Sequence, residues 1–129
     1  MGAMAPKKAE PLMFDVFWKW LTDHPNCLMR VMSGDMTVQD NELLHWDIFD
    51  EDGRAVVQMI QGKTLVAEMV IDRAQVKFVQ AYPDPEEAAS GQWMFECISG
   101  SDGEESFPLF GFVMAHGMDQ MQGHAQLKH

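Results

Sequence analysis

The chain has 129 residues, 47% of them hydrophobic, with 20 acidic against 9 basic residues and a formal net charge of −11. That length and apolar content suit one folded domain and exclude a disordered chain. The acidic balance argues against nucleic acid or anionic lipid, which need Lys and Arg to meet phosphate, and turns attention to basic protein partners.

Residues 1–9 (MGAMAPKKA) read as a flexible lead, with Met1-Gly2-Ala3 a cloning remnant and Met4 the native start. Pro11 suits the first turn of a helix over Leu12–His24, closed by Pro25-Asn26. At about 100° per residue, Asp15, Lys19, Thr22 and Asp23 share one polar stripe. Met13, Phe14, Val16, Phe17, Trp18, Trp20 and Leu21 cover roughly 200° of the remainder, whereas a helix on one sheet needs an apolar stripe little over 100° wide. Either something wraps this helix on two sides, or Phe14, Phe17, Trp18 and Leu21 form a partner or dimer surface.

Leu28–Met32 and Met36–Gln39 flank Ser33-Gly34-Asp35 as a short hairpin, followed by a polar loop at Asp40-Asn41-Glu42. Leu43–Glu51, Arg54–Gln61, Thr64–Asp72 and Gln75–Tyr82 then read as a four-stranded meander, with corners at Asp52-Gly53, Gln61-Gly62-Lys63 and Asp72-Arg73-Ala74. Leu65, Ala67, Met69 and Ile71 make an inner row. The opposite face is mixed, because Phe49, Val56, Ile60, Val66, Val70 and Val79 fall on outward positions. A sheet apolar on both faces curls into a half-barrel, pairs with another subunit or holds a ligand.

Asp84 reads as an N-cap and Pro85 as the first residue of one or two helical turns reaching Ser90, favoured by Glu86 and Glu87. Trp93–Ile98 is a fifth strand, and Ser99–Ser106 an acidic loop. In Phe107–Ala115 alternation competes with the helical spacing of Phe107, Phe110, Met114, Met118 and Met121, for which Ser106 could serve as N-cap. Gly111 and Gly117 favour a sixth strand. From Gly117 onward the chain reads as a flexible tail. The expectation is a single α+β domain over residues 10–116. It consists of an antiparallel β-meander of five to six strands (a curved sheet or half-barrel) with an N-terminal amphipathic helix packed on one face.

Motifs for chemistry are absent. Gln61-Gly62-Lys63-Thr64 lacks the earlier glycine of a phosphate loop, since Val57 stands there, and Asp47–Gly53 places Ile48 and Met59 where a calcium loop needs acids. Cys27 and Cys97 form no CxxC pair and read as reduced, buried thiols; nothing in the sequence brings Cys97 to His45 and Asp47. His116, Met118, Met121, His124 and His129 are soft or borderline donors, but twelve Met spread over the chain make them a weak metal signal. No cofactor or metal is expected. Without a long apolar span or signal peptide the expected location is cytoplasmic.

Two functions remain. One is a non-catalytic acidic interaction module of adaptor, regulator or inhibitor type. It would act through the aromatic helix or a sheet face on a protein partner, basic in charge, or on a second copy as a homodimer. The other is a small-molecule-binding or catalytic half-barrel with a pocket lined by Trp46, Met59, Met69, Phe78 and Trp93. The Met content favours the first, because flexible thioethers adapt to varied surfaces.

Overall fold

Period-two burial along each strand and positive-φ residues at the corners set the local structure. The computed structural model describes residues 10–34, 36–86, 90–100 and 107–118. In order these form β1 (Glu10–Leu12), α1 (Phe14–Asp23), a 3-10 turn (Pro25–Cys27), β2 (Leu28–Ser33) and β3 (Met36–Gln39). There follow β4 (Leu44–Glu51), β5 (Arg54–Gln61), β6 (Thr64–Asp72), a second 3-10 turn (Arg73–Gln75), β7 (Phe78–Pro83), β8 (Trp93–Ser99) and β9 (Phe107–Met114). At the β4–β5 corner Asp52 and Gly53 have φ of 53° and 79°, the pair of positive angles that a type I′ hairpin requires.

The strands divide between two antiparallel sheets, β4-β5-β6 and β1-β7-β8-β9-β2-β3, neither closed into a barrel, with α1 packed between them. The α+β, antiparallel reading with an N-terminal helix therefore holds, but the meander stops after three strands. Asp72 accepts a hydrogen bond from the Ala74 amide (3.0 Å), which turns the chain into the 3-10 turn and out of the first sheet. The segment expected as its fourth strand becomes β7 of the second sheet. Val79, expected outward, consequently points into the core and is fully buried.

Pro11 belongs to β1 rather than to the helix. It pairs with Gln80 on an edge strand, where a missing N–H is tolerated. The helix starts at Phe14 and ends at Asp23; the Nδ1 of His24, its C-cap, donates to the Trp20 carbonyl (2.8 Å), just before Pro25. Its broad apolar surface is wrapped on two sides. Phe17 stacks on Phe95 of β8 (5.0 Å between centroids) and leans on Phe112 of β9 (5.4 Å). On the other side Trp18 Nε1 donates to Asp50 Oδ1 of β4 (3.1 Å). Phe14, Phe17, Trp18 and Leu21 are 7%, 0%, 2% and 0% exposed, so the four residues expected as a partner surface are core.

Arg73 ties this arrangement together from outside. Its Nε donates to Asp15 Oδ1 of α1 (3.1 Å), its Nη1 to the Gly53 carbonyl (3.2 Å), and its Nη2 pairs with Asp50 Oδ1 (2.8 Å). The guanidinium also lies 5.5 Å from the Phe14 ring centroid. Burial opposes its charge, but the hydrogen bonds and charges of Asp50 and Asp15 outweigh that and raise its pKa.

Two other expectations meet the structure here. Residues 107–114 are a strand, paired on both sides by β8 and β2. Packing also continues past residue 116, because Met118 is buried in the core cluster. Asp84, buried, accepts from the Glu86 amide (3.0 Å) in a side-chain-closed turn, where helical turns were expected; 87–89 lie outside the described residues. So do the expectations for 1–9, 101–106 (with Ser106), and Met121, His124 and His129.

Phe17→Ala should cost about 3–5 kcal/mol, a large share of a domain's total stability, and appear as a lower urea midpoint or loss of the folded state. Arg73→Ala should cost about 1 kcal/mol, because its carboxylate partners are largely exposed and screened. That loss should shrink as sodium chloride is raised.

Candidate functional site

The five residues expected to line one pocket do not converge. Trp46, Met59 and Met69 face inward from the three-stranded sheet, on the side turned to α1 and the larger sheet. Phe78 pairs with Ile98 on the face of the six-stranded sheet turned away from the core, and Trp93 pairs with Met114 near the other end of β8. Met59 and Met69 do meet Val31, Met36 and Val38 across a slit between the sheets. Its free space is about 10 Å³, about the least that holds one water. The inter-sheet space is a filled core.

A wider cleft of about 200 Å³ lies on the outer face of the six-stranded sheet. Gly111 forms its floor because a Cβ there would sit 2.9 Å from Met32 Cε; Met94, Leu109 and Glu96 add to its walls. Gln80 Nε2 donates to Glu96 Oε1 (3.1 Å). Burial, then the neighbouring Glu96 and Asp84 carboxylates, push the Tyr82 phenol above its ordinary range. The cleft is smaller than the roughly 300–1,000 Å³ of most small-molecule sites.

The outer face of the three-stranded sheet is banded. Pairing places Asp47, Gln58 and Glu68 in one row, Phe49, Val56 and Val70 in the next, and Glu51, Arg54 and Asp72 in a third. Gln58 Nε2 donates to Glu68 Oε2 (2.8 Å) and fixes that carboxylate across the sheet. Glu51, Asp52, Arg54, Val56, Glu68 and Val70 surround a groove of about 300 Å³. Leu65 was expected in the inner row. A register shift between Met59 and Ile60 instead sets it opposite Ile60, and it is exposed.

The face ends at β6, a nine-residue strand that pairs only with β5 among the described strands. Val66 and Val70 are 51% and 45% exposed there. Edge strands usually carry Lys, Pro or a short length that blocks further pairing; Thr64–Asp72 has no Lys and no Pro. The opposite edge, β4, is the one against which α1 and the Pro25–Cys27 turn pack.

Cys27 and His116 form a pair that no sequence pattern announces, since they stand 89 positions apart. The Ala115 amide donates to the Cys27 carbonyl (2.8 Å), extending the β2–β9 ladder, and His116 follows directly. His116 Nε2 then lies 3.2 Å from Cys27 Sγ, while His116 Nδ1 donates to the Gly117 carbonyl (2.9 Å). Trp20 and His24 pack edge-on to the His116 ring, each at 5.8 Å. Cys97, expected as a buried thiol, is fully buried, and burial pushes its pKa up to about 12. His45 and Asp47 lie on the opposite, outer face of the other sheet.

Among the described residues no group of three or more His, Cys, Asp or Glu is placed to hold a metal ion, and no helix is long and apolar enough to cross a membrane. No protein-family model, curated protein or solved structure matches the chain.

Cys97 makes stability pH-dependent. Its folded-state pKa lies above the ordinary 9.0, near 12, so in that window the unfolded thiol loses its proton first. Stability should therefore fall as pH rises from about 9 towards 12, by up to about 1.4 kcal/mol per unit from this group. Urea midpoints measured on the alkaline side should fall less steeply in Cys97→Ala than in the wild type.

Proposed function

We propose that the protein is a non-catalytic interaction module that receives an extended, basic segment of a partner protein on β6 and the banded face beside it. The observation that carries this reading is the exposure of Val66 and Val70, alternating with Glu68 and Asp72, on an edge strand with no described second neighbour. A strand added to that edge would take its affinity from main-chain hydrogen bonds and its specificity from alternate side chains. Apolar residues of the added strand would lie beside Val66 and Val70. Its Lys or Arg residues would meet Glu68 and Asp72, and the net charge of −11 would steer their approach. Burial of the aromatic face of α1 favours the sheet face over the helix for such a role.

The test is titration with a short peptide of Lys-Ser-Val-Ser repeats, which places Lys and Val by turns on one face of a strand, with a Glu-Ser-Val-Ser peptide as control. Amide resonances of β6 should shift with the basic peptide, weakly at high salt, and not with the acidic one. Glu68→Lys, at an exposed position, should weaken binding about tenfold, or roughly 1.4 kcal/mol, with little change in melting. Shifts mapping to another surface, or equal binding of both peptides, would overturn the reading. A dimer seen by light scattering and dissolved by Val66→Lys would instead assign the surface to a second copy of the chain.

A further inference from the structure

The Cys27–His116 corner lies apart from the β6 face. We propose that Cys27 is a nucleophilic thiol, activated by His116, that exchanges with small disulfides and so carries a reversible S-thiolation.

The geometry supplies each part. Nδ1 of His116 faces the Gly117 carbonyl at 2.9 Å and must carry a hydrogen to donate there. In the neutral ring the lone pair is then on Nε2, the atom 3.2 Å from Cys27 Sγ. A nucleophile within reach of a base, with the base oriented by a third group, is the arrangement that activates Ser and Cys side chains. When Nε2 takes the thiol proton, the imidazolium keeps its bond to the Gly117 carbonyl. Cys27 is held by backbone at both ends of its peptide unit: its amide donates to the His24 carbonyl (3.0 Å), and its carbonyl accepts from Ala115. Cys27 is half-buried, whereas Cys97 is sealed in the core.

The step balances without another reactant. The Cys27 proton passes to His116 Nε2, and the thiolate attacks one sulfur of the disulfide. A new Sγ–S bond forms as the old S–S bond breaks, and the departing thiolate takes the proton from His116. Cys27 is oxidised to a mixed disulfide while one half of the reagent is reduced to a thiol.

The gain has a ceiling. A free thiol is a few per cent ionised at pH 7, so full ionisation yields roughly thirtyfold at most, and the weaker nucleophilicity of a more acidic thiol takes part of that back. About threefold remains.

The experiment exposes the folded protein to oxidised glutathione at pH 7 and follows adducts by intact and peptide mass. One reducible adduct per chain should form on Cys27, about threefold faster than on the same residue in the urea-unfolded chain. Cys97→Ala should keep that rate. His116→Gln should lower it about threefold. Three results would overturn the proposal: modification on Cys97 instead, a folded-state rate no faster than the unfolded one, or an unchanged rate in folded His116→Gln. The comparison of folded with unfolded wild type decides the question even if His116→Gln fails to fold.

Discussion

The structure depends on one helix having to bury more than one face. Phe14, Phe17, Trp18 and Leu21 are all core, and no single sheet could cover them together with the half-buried Trp20. The chain satisfies α1 by placing β8 and β9 against Phe17 and β4 against Trp18. That demand for two walls separates the β-structure into two sheets. The 3-10 turn at Arg73–Gln75 is the crossing point, and Arg73 itself bonds back to both the helix and the β4–β5 corner. Helix, crossing and sheet division therefore form one mechanical unit.

Much of this was legible locally. Strand alternation placed Ala67, Met69 and Ile71 on the inner face where they lie, and the Asp52-Gly53 corner formed as a two-residue hairpin. What local reasoning could not see was partnership. Val79 looks outward if its strand continues the meander and inward if it joins the second sheet; its own sequence is the same in both cases. Pro11 has a role in a helix start and another in an edge strand, and only pairing with β7 decides. The two-sidedness of α1 was visible in its width, but width alone does not distinguish a second wall from a partner.

The site residues were legible in the same uneven way. Val66, Glu68, Val70 and Asp72 were readable as one face from period two alone. Their standing at the edge of the described sheet was not, because that depends on which strand ends the sheet. Even on one face burial differs: Val56 is nearly sealed at the centre of the sheet while Val70, in the same row, is open at its border. A central strand is shaded by neighbours on both sides and an edge strand by one, so equal residues acquire unequal availability from topology.

The Cys27–His116 pair shows topology making chemistry out of residues with none apparent. The ladder that joins β2 to β9 aligns Leu28 with Met114, and its next bond, from Ala115 to Cys27, leaves the following imidazole beside the thiol. The same corner receives the end of α1, where His24 closes the helix and packs on His116. A group added to the Cys27 sulfur would lie beside His116, whose ring is packed by Trp20 and His24 of the helix and its cap. Chemistry at this thiol would thus bear first on the helix terminus and the ladder end, at the β4 side of the smaller sheet. The β6 edge lies across β5 from there and would remain available to a partner in either state of the sulfur.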